Sequence, residues 1–420
     1  MVRGVSFRVR EDCRLCGERR LTKVLELPPT PLANEFPSSP GKAQDEFPLW
    51  LAQCAGCGHV QLPVVVDPER LFREYVYVSG TSPVFVDHFR RYAAECQQHL
   101  DPGDLVVEIG SNDGTLRRFF KEGGQRVLGV DPAVQIALRA TAEGIDTWPA
   151  FFNAKTAEAI LDAHGPAKLV VANNVFAHAD DLAGIVRGVR KILRPDGAFV
   201  FEVSYLPDVI RGTLFDTIYH EHLAFHSVEP LVGFFRQFGM SLVGARRVPT
   251  HGGSVRVMVV PEPNAVTQAS ASALIEEEQV MGLSVHSTER IGARPVPFVE
   301  FERRIAERRE EALRTLRGAR MAGKRIAAYG APAKATTLLR TFGLEEMIEF
   351  VVDDAPLKQG RWLPGGHVPV LPSAAIEERK PDYLVLLAWN FADSILDKLA
   401  PYRAAGGTCL VPLPKVRVVT

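Results

Sequence analysis

Two CxxC pairs near the start, followed by two separate runs in which short apolar segments alternate with helical patterns, predict an α/β protein in three parts. These are a metal-binding N-terminal cap over residues 1–72, a Rossmann-like core over 73–285, and a linker helix with a C-terminal Rossmann-like domain over 286–420. The length agrees, since 420 residues is room for a few domains of roughly 100–200 residues each.

In the cap, prolines interrupt LELPPTPLANEFPSSPGKAQDEF, so no single regular element spans it. In the core, LVVEIG (105–110) reads as a buried strand, GTLRRFFKEG as a helix and RVLGVD (126–131) as the next strand. AVQIALRATAEG is helical, and KLVVANN (168–174) and GAFVFEV (197–203) are two further strands. Short β-rich runs ending in polar residues or Gly, separated by helical patterns, indicate a doubly wound parallel sheet. SLVGARRVPTHGGSVRVMVVPEP (241–263) reads as two strands joined at Gly252-Gly253, an antiparallel edge. The charged stretch 286–322 is expected to be a long linker helix. KRIAAYGAPAKATTLL, IEFVVDD, DYLVLLAW and TCLVPLP then repeat the strand, Gly turn, helix opening, so the two α/β units are expected to face one another.

Composition is that of an ordinary globular protein, 46% hydrophobic and 24% charged. With 49 basic and 50 acidic side chains there is no basic excess to hold a nucleic acid, and no such partner is expected. No apolar run of 18 residues suggests a membrane span. MVRGVSFRVRED has no apolar h-region, so the expected setting is the cytoplasm; the expected oligomeric state, separately, is a monomer.

Cys13-Arg-Leu-Cys16 and Cys54-Ala-Gly-Cys57 are each followed by glycine, Gly17 and Gly58. Such turns place two sulfurs on one side, and two pairs complete a tetrahedral thiolate shell for Zn²⁺. Four thiolates leave no open coordination position, so the zinc is expected to be structural. The competing reading is a pair of redox CxxC motifs. His59 is a spare ligand that four cysteines make unnecessary, and Cys96 and Cys409 read as small buried hydrophobes.

EIGSNDGTL (108–116) lies at a strand–turn–helix junction, where Gly110 and Gly114 let the backbone turn and approach a ligand. It is neither GxGxxG nor a P-loop. Asp131 ends the next strand, 23 residues after Glu108, where an acid accepts ribose hydroxyls. Glu108 suits a cationic methionine better than an anionic pyrophosphate. Asn112 and Asp113 lie in the turn, and Asn173 and Asn174 end a later strand on the ligand side. Together these residues read as a site for S-adenosylmethionine; the competing reading is an α/β turn without a ligand.

FDTIYHEHLAFHS (215–227) gathers Asp216, Tyr219, His220, Glu221, His222 and His226 after a core strand. HxHxxxH is not a familiar metal pattern, and acid/base chemistry is the preferred reading. If the segment is extended, His220 and His222 share one face and Tyr219 and Glu221 the other. A turn would break that rule, so the sequence leaves both histidines open as the base. EYVYVSGTS (74–82) offers Tyr75, Tyr77 and Ser82, and HGGSVRV offers His251. YGAPAKATTLL places Gly330 and Lys334 at a helix start, a phosphate site, and VVDDAPLKQG adds Lys358.

CRLCG with CAGCGHVQL, YVYVSGTS, EIGSNDGTL, VLGVDPA, ANNVFAH, FDTIYHEHLAFHS, THGGSVRV and YGAPAKATTLL together resemble the sugar C-methyltransferases of deoxysugar biosynthesis, including those that methylate C-3 of dTDP-linked 4-keto-deoxyhexoses. The resemblance covers nearly the whole chain. It implies a zinc-binding cap, a Rossmann-like methyltransferase core and a C-terminal Rossmann-like domain, with the nucleotide sugar between the last two. It implies His222 as the base, with Tyr219, Glu221 and Tyr77 beside it and His178 of ANNVFAH in the substrate site. The chemistry agrees: a sugar carbon becomes a nucleophile only beside a ketone, as an enolate, so the site needs a base and donors for the enolate oxygen. The alternatives are an O- or N-methyltransferase on a small molecule and a non-catalytic protein that senses S-adenosylmethionine.

Overall fold

The computed structural model describes residues 7–73, 80 and 83–420, apart from the side chain of His251. The core sheet holds β1 (Leu105–Ile109), β2 (Arg126–Val130), β3 (Thr147–Trp148), β4 (Ala167–Asn173), β5 (Leu193–Ser204), β6 (Ser241–Val248) and β7 (Ser254–Val260). The strand order is β6-β7-β5-β4-β1-β2-β3. β1 to β5 are parallel, and β7 runs antiparallel to both its neighbours. All five residues of β1 are buried, as an apolar run covered on both faces requires. Strand order reverses between β1 and β4, and the carboxyl ends there open a crevice.

The C-terminal sheet contains β8 (Ile326–Tyr329), β9 (Val351–Val352), β10 (Val370–Leu371), β11 (Tyr383–Leu386), β12 (Thr408–Val411) and β13 (Arg417–Val419). Its order is β10-β9-β8-β11-β12-β13, parallel except for β13. The linker helix is shorter than 286–322 suggests. It spans Val296–Met321, behind a small hairpin of Arg290–Ile291 and Arg294–Pro295.

The cap is more regular than its prolines suggest. Leu21–Thr30 is a strand that contains Pro28 and Pro29 and pairs with Phe47–Cys54. It lies at the edge of its sheet, where a missing N–H is tolerated, and the register slips at the prolines, between Leu27 and Thr30. The remainder, to residue 46, is irregular. The fourth strand of this sheet comes from the core: Ala224–Phe225, directly after the YHEH run, pairs with Val60–Gln61. Phe215, Ile218, Leu223 and Phe225 bury into the apolar core that the cap shares with the C-terminal sheet. At about 1.5–3 kcal/mol for each such side chain, burial anchors this segment in the seam of all three parts.

Candidate active site

A cavity of about 1400 Å³ lies where the three parts meet. It exceeds the roughly 300–1,000 Å³ of a typical single-ligand site, so two sizeable ligands fit. Val66 and Phe72 of the cap, Gly110, Asp131 and His222 of the core, and Lys334 of the C-terminal unit are among its walls.

At the core end, Gly110, Asn112, Asp131, Asn173 and Asn174 line the cavity. Gly110 has φ +64°, and a Cβ there would meet Val175 at 2.2 Å, so the turn admits only glycine. Asp131 accepts backbone N–H bonds from Asn112 (2.7 Å) and Ala133 (2.8 Å), which fixes its carboxylate at the strand end. Burial pushes its pKa up, and those N–H groups pull it back. Each oxygen keeps lone pairs for a further donor.

Glu108, Asp113 and Gly114 do not line the cavity. Glu108 points into the protein, where Arg117, fully buried, donates to it at 3.1 Å. The same guanidinium reaches the Asp146 carbonyl (2.6 Å) and Thr147 Oγ1 (3.0 Å), tying β1 to β3. A Cβ at Gly129 would strike it at 2.3 Å, so Gly129 makes its room. What reads in sequence as a methionine-facing carboxylate is therefore an internal hydrogen-bond partner of Arg117. Its trace in the sequence is an arginine on the apolar face of a helix, between Leu116 and Phe120. Asp113 starts the helix Thr115–Glu122 by accepting from Thr115 Oγ1 (2.7 Å) and holds the Gly80 N–H (2.9 Å). Gly114 supplies the left-handed turn before that helix, at φ +79°.

The candidate catalytic segment is a turn, not a strand, and the two candidate histidines part. His222 lines the cavity with Tyr219 and His178. Its Nδ1 lies 2.6 Å from the Thr217 carbonyl. A carbonyl only accepts, so Nδ1 carries the proton and Nε2 keeps its lone pair. Burial lowers the His222 pKa to about 4, against the pull of that carbonyl, and the ring is neutral at neutral pH. The rings of Tyr219 and His178 lie 4.1 and 4.9 Å away. His220 instead faces the cap: Nε2 is 3.1 Å from the Pro48 carbonyl, and the ring packs on Phe47. Glu221 also turns to the cap, accepting from Asn34 Nδ2 at 2.7 Å, and is not on the cavity wall. The His222 tautomer is set by the Thr217 carbonyl and not by Glu221, and no motif marks that backbone group. His226 is buried between Phe176 and His59.

At the C-terminal end, Lys334 and Lys358 line the cavity. Lys334 starts the helix Ala335–Phe342, lies 3.8 Å from the Trp389 ring centroid and donates to Asn390 Oδ1 at 2.6 Å. Burial lowers its pKa to about 8, and Asp216 pulls it back. Lys358 donates to the Ala331 carbonyl (2.9 Å), so part of its work is to hold that loop. Gly330 is a turn residue at φ +87°, packed against Ala388 and off the cavity wall. Tyr75, Tyr77 and Ser82 lie outside the described residues, as does the side chain of His251. Phe151, Phe152, Asn390 and Phe391 also line the cavity and carry no motif.

The four cap cysteines converge, with Sγ atoms within 4.8 Å of one another. Cys13–Cys57 and Cys16–Cys54 are 3.6 and 3.5 Å apart. Four sulfurs at 2.3 Å around one ion stand about 3.8 Å apart, so the cluster fits tetrahedral zinc. Leu15 and Gly56 direct N–H groups at Cys13 (3.4 Å) and Cys54 (3.2 Å), and Gly17 and Gly58 turn at positive φ. His59 is buried outside the cluster.

Sheet order, reversed last strand and a cavity at the switch point are those of a methyltransferase core, and a methyltransferase domain model matches residues 84–244. The class is that of the S-adenosylmethionine-dependent methyltransferases. A C-methyltransferase C-terminal domain matches 249–414, and a zinc binding domain matches 13–72. The C-methyltransferase NovU of Streptomyces niveus is 35% identical over 416 residues, 98% of this chain and 97% of that protein. The chain belongs to this family of zinc-binding, S-adenosylmethionine-dependent C-methyltransferases. A ubiquinone biosynthesis O-methyltransferase of Methylobacterium sp. (strain 4-46) is 34% identical over 117 residues, 25% of this chain and 46% of that protein. Among solved structures, the magnesium protoporphyrin IX methyltransferase of Synechocystis PCC 6803 with bound SAH covers 42% of this chain and 82% of its own, at 13% identity and a TM-score of 0.33. No helix among the described residues is long and apolar enough to cross a membrane.

Proposed function

We propose that the enzyme methylates the carbon alpha to the ketone of a nucleotide-linked 4-keto-deoxysugar, through an enolate. The observation that carries this reading is His222, on the cavity wall with Nδ1 tied to the Thr217 carbonyl and Nε2 left as a base. An enzyme that methylates carbon needs such a base, because a C–H must be ionised before it attacks.

S-adenosylmethionine supplies an electrophilic methyl group. Asp131 would hold its ribose, and Gly110, Asn112, Asn173 and Asn174 would line its cradle. Lys334 and Lys358, at the far end, would face the diphosphate of the sugar nucleotide. His222 Nε2 takes the alpha proton, and the Tyr219 hydroxyl donates to the oxygen where charge develops. The neutral ring accepts that proton without first losing one.

The test is incubation with S-adenosylmethionine and a panel of dTDP-, CDP- and GDP-linked 4-keto-deoxysugars, read by mass spectrometry and NMR of the product. A new carbon-bound methyl group beside the carbonyl is expected. A methyl group on oxygen or nitrogen, or no transfer to any keto sugar, would overturn the reading.

A further inference from the structure

Two hydrogen bonds reach from the C-terminal unit to the turn that holds His222, and they land on either side of Thr217. Trp389 Nε1 donates to Asp216 Oδ2 at 2.5 Å, with both side chains buried. Thr337 Oγ1, also buried, donates to the Ile218 carbonyl at 2.8 Å. The residue between them, Thr217, presents the carbonyl that takes the His222 Nδ1 proton at 2.6 Å. Within its own segment Thr217 is tied only locally, to the Leu214 carbonyl through its N–H (3.1 Å) and hydroxyl (2.7 Å). Those bonds shape the turn but do not fix where the turn sits relative to the cavity.

We propose that Trp389 and Thr337 are positioning residues, which brace the Asp216–Ile218 turn so that the Thr217 carbonyl selects the His222 tautomer with a bare Nε2. The proposal rests on the reading of His222 as the base. The brace comes from the same elements that wall the far end of the cavity. Thr337 is one turn along the helix that Lys334 starts, and Trp389 stands between the wall residues Ala388 and Asn390. Lys334, over the Trp389 ring and bonded to Asn390, ties these elements together. The other carboxyl oxygen of Asp216 is buried and has no hydrogen bond among the described residues. The indole N–H is therefore the side-chain donor that holds this carboxylate, beside the charge of Lys334. A ligand held at Lys334 is thus held by the body that aims the base. Losing the brace should lower kcat more than it raises either KM.

The test uses the full-length zinc-loaded protein and three variants: Trp389→Phe, which keeps a ring and removes the N–H; Thr337→Val, which removes one hydroxyl; and Thr337→Ser, which restores it. The first readout is the ¹⁵N chemical shifts of labelled histidine side chains, with His222 identified by its loss in His222→Asn. The second is solvent-deuterium exchange at the alpha carbon of a dTDP-4-keto-deoxyhexose. Wild type should show His222 with the proton on Nδ1. Trp389→Phe and Thr337→Val should show mixed tautomers and exchange slowed about 10- to 100-fold, the usual cost of a slightly misplaced group. S-adenosylhomocysteine affinity should stay within about twofold, and Thr337→Ser should restore both tautomer and rate. Thr337→Val carries the test if Trp389→Phe does not fold. A wild-type tautomer and rate in these variants, while His222→Asn is inactive, would overturn the brace alone. Normal exchange by His222→Asn would overturn the base assignment beneath it.

Discussion

Replacing Arg117 by methionine removes the cation paired with Glu108 and fills most of its volume. The guanidinium is fully buried and makes bonds to Glu108, the Asp146 carbonyl and Thr147 Oγ1. Thr147 keeps a partner, since its hydroxyl also donates to the Ile145 carbonyl. When ionised, Glu108 is left as a buried carboxylate without its counter-charge, a loss worth about 3–5 kcal/mol. Burial already pushes the Glu108 pKa up to about 8, and losing Arg117 pushes it higher. A folded-state pKa above the unfolded 4.5 means that the native protein holds the proton more tightly. Stability from this group is therefore fullest below pH 4.5 and is lost as pH rises through 8, by at most about 1.4 kcal/mol per pH unit. Urea unfolding followed by circular dichroism, at about pH 7 and about pH 9.5, should show the larger loss at the higher pH, where the wild-type carboxyl ionises beside Arg117 and the variant's stays protonated. Combining Arg117→Met with Glu108→Gln should recover most of it. A loss under about 1 kcal/mol, or an equal loss at both pH values, would refute the buried-pair account.

The remaining expectations concern the ligands. Elemental analysis of protein purified without chelator should find about one zinc per chain, and Cys57→Ser should release it and unfold the cap; protein without zinc would contradict the four-thiolate site. Asp131→Ala should weaken S-adenosylmethionine binding by about 1–3 kcal/mol in calorimetry, because it strands the ribose donors; unchanged affinity would remove Asp131 from the site. Lys334→Ala should raise KM for the nucleotide sugar and leave cofactor affinity alone. An unchanged KM would mean that the C-terminal cavity wall does not read the diphosphate.

Much of the architecture is legible in the sequence because buried parallel strands leave continuous apolar runs. LVVEI, RVLGV, KLVVAN and FVFEV each end where the chain must turn toward the crevice. β3, two residues long, leaves no such trace. The cap strand through Pro28 and Pro29 is hidden because its edge position, a tertiary fact, is what makes proline acceptable. The zinc ligands are legible from spacing alone, since the metal dictates it. The candidate catalytic segment is half legible. Its residue types announce acid/base chemistry, but which histidine faces the cavity depends on Ala224–Phe225 joining the cap sheet and on the Pro48 carbonyl engaging His220. Thr217 acts through its carbonyl, which every residue possesses, and so leaves no mark in the sequence. Glu108 misleads for a related reason: its partner, nine residues on, is a charged side chain on a buried helix face.

If His222 ionises a carbon acid, proton exchange measures that step apart from methyl transfer. His222→Asn and His220→Asn, each with S-adenosylhomocysteine in place of the methyl donor, should be incubated in deuterium oxide with a dTDP-4-keto-deoxyhexose. Deuterium at the alpha carbon is then followed by mass spectrometry. Loss of a general base slows such a step by roughly 10²–10⁴-fold. His222→Asn should show that loss while cofactor affinity survives. His220→Asn, whose ring faces the cap and not the cavity, should keep exchange within about tenfold of wild type. Exchange at the wild-type rate in His222→Asn would contradict the account.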